Sequence, residues 1–174
     1  MRARSLLLLS AILGGCAPGG RDGPGAGQIA LEWRGSSRGA FRAPATATLC
    51  TETAQVELIA IRGDSGIAFV FFPTDSGALP VGEYPILPPD TPEAARPSAM
   101  AALKWFDGVD LPSFEGVGGA VRVTGTGDRA SGSLELTLRL HQGEDTVRVT
   151  GRFAAVPVER APTGCGAVHR RTVG

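Results

Sequence analysis

A chain of 174 residues, 43% apolar and 20% charged, has room for one domain of ordinary size with a real core. Its 17 basic and 17 acidic residues cancel, which leaves no basic footprint for nucleic acid and no polybasic membrane patch. The 25 Gly and 13 Pro favour many turns over long helices, and the single Lys, Lys104, beside 16 Arg is a codon bias rather than a functional signal.

Residues 1–15 read MRARSLLLLSAILGG. Arg2 and Arg4 form a basic leader, and residues 5–13 an apolar run far shorter than the about 20 residues a membrane span needs, so the segment has the form of a signal peptide. Leu13-Gly14-Gly15-Cys16 then resembles the lipobox of bacterial lipoproteins: a branched apolar residue, two small ones and an obligatory Cys. The resemblance implies cleavage before Cys16, a diacylglyceryl thioether and N-acylation on it, and a membrane partner through that lipid. Ala17 in the following position favours the outer membrane, facing the periplasm. Two or three acyl chains make such an anchor durable, where one is marginal. Residues 16–27 (CAPGGRDGPGAG) supply the lipidated Cys and a flexible Gly/Pro tether. Losing Arg2 and Arg4 leaves 15 basic against 17 acidic residues, a net charge of −2.

With Cys16 assigned to lipid, Cys50 and Cys165 remain as a pair, and in an oxidising envelope a disulfide is the natural expectation. It would close a loop of over 100 residues, for which chain-entropy models give about 4.7 kcal/mol as an upper figure. A metal alternative needs Cys50, His141, Cys165 and His169 together, a spacing that matches no zinc module. No metal and no cofactor is expected.

The body, residues 28–168, reads as antiparallel strands ahead of a short tail at 169–174. Short strands are expected at 29–33 and 45–49. Residues 56–61 (VELIAI) and 67–72 (IAFVFF) are apolar on nearly both faces, the mark of strands covered on each side. Residues 79–86 (LPVGEYPI) make an irregular edge strand, since two prolines cannot donate to a ladder. A Pro-rich excursion at 87–97 has room for one helical turn at 91–96, and residues 99–106 favour strand. Residues 120–125 (AVRVTG) alternate apolar and polar, followed by a turn at 125–131. Leu134, Leu136, Leu138 and Leu140 alternate with Glu135, Thr137, Arg139 and His141, and residues 146–158 repeat the pattern after a turn, so these two segments form a hairpin. Eight to ten short strands without a long helix indicate an all-β fold: an antiparallel β-sandwich, with a small lipocalin-like barrel as the alternative. The layout resembles small bacterial envelope lipoproteins that pair a lipobox and a Gly/Pro tether with a compact β domain and a closing G-x-F strand, here Gly151-Arg152-Phe153.

Residues 62–66 read RGDSG. They contain the adhesion tripeptide Arg62-Gly63-Asp64 and the Gly63-Asp64-Ser65-Gly66 string that surrounds the nucleophile of chymotrypsin-like proteases. A serine nucleophile needs a base and an orienting acid, yet His141 and His169 both follow Ser65, whereas that family places its His well before. Gly, Asp and Ser between two apolar runs are turn residues, so the segment is expected to be a hairpin loop. Residues 105–116 (WFDGVDLPSFEG) mix Trp105 and Phe106 with Asp107, Asp110 and Glu115, a composition able to line a carbohydrate or cation site, or to pin a loop. Trp33 and Trp105 are expected as core anchors. The resulting expectation is a non-enzymatic, lipid-anchored binding or scaffolding domain that meets an unknown envelope protein or small ligand and has no catalytic residue. The alternatives are a lipid-anchored carrier of an apolar molecule inside a barrel and, remotely, a serine hydrolase.

Overall fold

The computed structural model describes residues 23–75, 77–91 and 95–162. Nine strands follow in chain order: β1 (Gln28–Gly35), β2 (Arg38–Cys50), β3 (Gln55–Arg62), β4 (Ser65–Phe72), β5 (Gly82–Pro85), β6 (Ser98–Lys104), β7 (Ser113–Gly125), β8 (Arg129–Leu140) and β9 (Thr146–Ala161). No helix occurs among the described residues. Leucines at every second position of β8 are buried and the residues between them face outward, so one side of each strand is apolar because it lines a common interior.

The neighbour order β6-β4-β3-β2-β1-β9-β8-β7 returns to β6, since β7 pairs with both β8 and β6. Eight strands therefore close a barrel, and the two separate sheets of the sandwich expectation do not form. Stepping around the ring through paired residues returns to β1 about ten residues along, the stagger that tilts barrel strands. β6 pairs with β7 only at Ala102–Lys104. Where the two strands diverge, β5 pairs with the rest of β7, and Ile86 bridges to Ala99. β1 is shorter than its neighbours, and beyond its first residue β2 and β9 meet directly as a parallel pair, from Ala47 beside Val158 to Cys50 beside Ala161.

Eight strands enclose a space just wide enough for side chains to fill or for one small ligand. Here side chains fill it. Leu31, Leu58, Phe69, Val121, Leu136 and Val149 all point inward with at most 2% of their surface accessible, and they belong to one continuous cluster. Inward groups that touch no water-sized space leave no lumen among the described residues. At one level of the interior Phe69 packs on Phe71, centroids 6.0 Å apart, and Phe71 meets Tyr84 edge-on at 5.3 Å. Burial pushes the Tyr84 phenol above its ordinary pKa of 10.0, and its hydroxyl donates to the Pro80 carbonyl at 2.9 Å.

The expected hairpins form. The turn of the RGDSG segment is tighter than five residues: Arg62 pairs with Ser65, leaving Gly63 and Asp64 as a two-residue loop. Gly63 has φ 59° and Asp64 is not among the positive-φ residues, the II′ pattern that matches strand twist. β2 begins at Arg38 and β7 at Ser113, both earlier than alternation indicated. The added part of β7 runs through Gly116, Gly118 and Gly119, where the ladder carries a bulge. Gly119 sits at φ 91°, and a Cβ there would lie 2.1 Å from the Glu135 carbonyl oxygen, so only glycine fits. The helical turn expected at 91–96 lies mostly outside the described residues, as do the signal peptide, Cys16 and the tail.

Candidate functional site

Four connections, β1–β2, β3–β4, β6–β7 and β8–β9, gather at one end of the barrel, the hairpin end. The chain enters from Gly23 at the opposite end, where β2 and β9 make their parallel contact. Three rings close the hairpin end. Trp33 on β1 lies 4.9 Å from Trp105, centroid to centroid, and Trp105 stacks on Phe114 of β7 at 4.7 Å. Trp33 fits because its cross-strand partner is Gly39: a Cβ there would fall 2.2 Å from the indole Cζ2. Both Trp residues are thus core anchors, as their sequence context indicated. Trp33 Nε1 is buried with no hydrogen-bond partner, an expensive state for a donor.

Beside this plug is a cleft of about 250 Å³ lined by Trp33, Phe41, Arg62, Trp105, Phe106 and Asp107. The Arg62 guanidinium sits over the Phe41 ring, 5.6 Å from its centroid. Ser65 Oγ accepts the Phe106 N–H at 2.8 Å, which fastens the β3–β4 turn to the β6–β7 loop. That loop folds around Asp107. Its Oδ1 accepts the N–H groups of Asp110 at 2.8 Å and Val109 at 3.0 Å, and Gly108 takes φ 101° beneath them. The Asp110 and then Val109 amides hold the exposed Asp107 carboxyl below its ordinary value. The loop consequently raises apolar groups into solvent: Val109 is 87% exposed, Phe106 49% and Leu111 40%.

Ser65 therefore fastens two loops through its Oγ. His141 of the β8 end contacts the Glu115 carboxylate at 2.9 Å on β7, and His169 lies outside the described residues. The RGD tripeptide is held as a two-residue turn with Arg62 laid back on Phe41. Cys50 is buried at the end of β2, away from the hairpin end that holds His141, so these two cannot ligate one ion. Among the described residues no group of three or more His, Cys, Asp or Glu is placed to hold a metal. Cys165 lies outside the described residues, but β9 reaches Ala161 directly beside Cys50, and Thr51 N–H donates to the Ala161 carbonyl at 3.2 Å.

Alternation alone missed the partnership of Arg62 with Phe41 and of Trp33 with Gly39. The second was latent in the spacing, because a three-residue connection, Gly35 to Ser37, between paired Arg34 and Arg38 puts Gly39 opposite Trp33. The arrangement can stack a ring or aliphatic face, offer a guanidinium, and place a fixed carboxylate nearby. Comparison of the chain with known protein families, curated proteins and solved structures gives no match.

Proposed function

We propose that the chain is a lipid-anchored envelope binding module: a solid β-barrel, held at the membrane through Cys16, that engages its partner at the hairpin end. One observation carries this reading. The interior is filled by side chains, so recognition falls to the surface, and three of the five large exposed hydrophobic residues among the described ones, Phe106, Val109 and Leu111, lie on one loop. The tether joins the barrel at the other end, so this loop is not the point of attachment. The carrier reading retains the barrel architecture in its favour, but a guest would have to displace the Trp33–Trp105–Phe114 stack. A Cys50–Cys165 disulfide completes the proposal. Cys165 is four residues beyond Ala161, and each residue spans at most about 3.6 Å, so it lies within reach of Cys50.

The test uses the whole anchored chain. A photoreactive residue at position 109 is expected to give a discrete envelope adduct, and the same residue at Glu52, in the exposed turn of the opposite end, is not. No adduct at 109, or equal adducts at both positions, refutes the binding reading. Palmitate labelling that survives Cys16→Ala refutes the anchor.

A further inference from the structure

The barrel's outer wall carries a charge pattern that the balanced total conceals. Register places the outward residues of neighbouring strands in lateral rows. In one row Arg38 of β2 stands opposite Arg34 of β1, and Arg34 opposite Arg148 of β9. Two positions further along, Arg42 and Arg152 flank Ala30. Beyond Ser133 comes Arg122, which is neutralised by Glu83 at 2.9 Å. The row between holds Ala40, Glu32, Thr150 and Glu135. Arg34, Arg38 and Arg148, which form the first row, are all exposed.

Like charges directly opposite on a sheet are destabilising. Three guanidiniums in a line across three strands are a cost that an external anion offsets, and guanidinium forks match the oxygens of a phosphate. Small residues between the rows, Ala30 and Ala40 among them, leave that approach open. A concavity next to this line, which Arg42, Arg148 and Arg152 line together with Glu32 and Glu135, is bordered by Gly23 and Pro24. Cys16 precedes Gly23 by seven residues, a span of at most about 25 Å.

We infer that the wall formed by β2, β1 and β9 lies against anionic phospholipid headgroups, with Arg34, Arg38 and Arg148 as the contact line. The inference rests on the anchored reading, because it is the tether that brings this wall to a membrane. Lipid and basic wall then act as two signals, an arrangement that fixes the barrel's orientation as well as its location.

The core of the described residues runs from Ile29 to Val156, so the chain from Ala17 onward, which bears no lipid, keeps the barrel and both remaining cysteines. Its co-sedimentation is measured with vesicles of phosphatidylcholine alone and with 30% phosphatidylglycerol. Binding to the anionic vesicles is expected to be at least about tenfold stronger and to fall steeply between about 0.1 and 0.5 M salt. Arg34→Gln, Arg38→Gln and Arg148→Gln together are expected to abolish the difference. Lys104→Gln, Arg129→Gln and Arg160→Gln, the same charge change at other exposed positions, are expected to leave most of it. Equal binding to both vesicles, or equal loss in the two triple variants, overturns the inference. Palmitate labelling of Cys16 in the full chain is read separately, so failure of the wall and failure of the anchor are distinguishable.

Discussion

Phe69→Ala measures whether the barrel is solid. Phe69 lies on β4 with 1% of its surface accessible and stacks on Phe71. Burying a Phe side chain is worth about 1.5–3 kcal/mol by transfer alone. Truncation inside close-packed surroundings adds a cavity term, which brings Phe→Ala losses to about 3–5 kcal/mol. A domain of this size is stable by about 5–15 kcal/mol in total, so the variant should fold but lose roughly a third or more of its stability. Urea titration followed by circular dichroism should show the midpoint falling with an unchanged slope, and the melting temperature should drop by about 10 °C or more. If Phe69 instead faced a lumen, its removal would leave no new void and would cost under about 1.5 kcal/mol. A loss that small would refute the filled interior, and with it the argument that recognition falls to the surface.

Two further outcomes follow from backbone and electrostatic geometry. Gly119→Ala and Gly63→Ala both place a side chain at positive φ, but only the first drives a Cβ into the Glu135 carbonyl. Gly63→Ala should cost about 1 kcal/mol and Gly119→Ala at least about 2 kcal/mol by thermal melting, and equal costs would remove the bulge argument. Asp107 has its folded pKa depressed by the Asp110 and Val109 amides, so its stabilisation is present above the ordinary carboxylate value of 3.8 and is lost as pH falls through the folded value. The stability difference between wild type and Asp107→Ala should therefore shrink below pH 3.8, and a difference unchanged down to about pH 2 would contradict the Asp107-centred loop.

Period-two alternation located the strands it could see. Leu134 to Leu140 and Val147 to Phe153 alternate because one face is buried and the other wet, and both became strands of the expected hairpin. The apolar runs of β3 and β4 were legible as covered on both sides, and Glu57 and Val70 are indeed buried on the outward face. Closure was not legible. Barrel and sandwich use the same strands and differ in a few non-local pairings: β1 with β9, the parallel β2–β9 contact, and the short β6–β7 seam. No residue pattern along the chain encodes those. The first half of β7 was hidden because Gly116, Gly118 and Gly119 resemble a loop when the bulge that needs them is unknown. The site was half legible: Trp105, Phe106 and Asp107 stood out by composition, while Arg62 and Ser65 acquired roles only when the turn that holds them met the neighbouring loop.

The place of β1 in the ring sets an order of assembly. Its hydrogen-bond partners are β2 on one side and β9 on the other, and β9 is the last of the described strands, ending at Ala161. The first strand therefore has an open edge until nearly the whole chain is present. A polypeptide emerging amino terminus first can form the β3–β4 turn early, because that contact is local, but it cannot close the ring before β9 arrives. Such long-range pairing is slow, in the range of milliseconds to seconds. On the export route proposed above, late closure is an advantage: the barrel locks only after β9 is through.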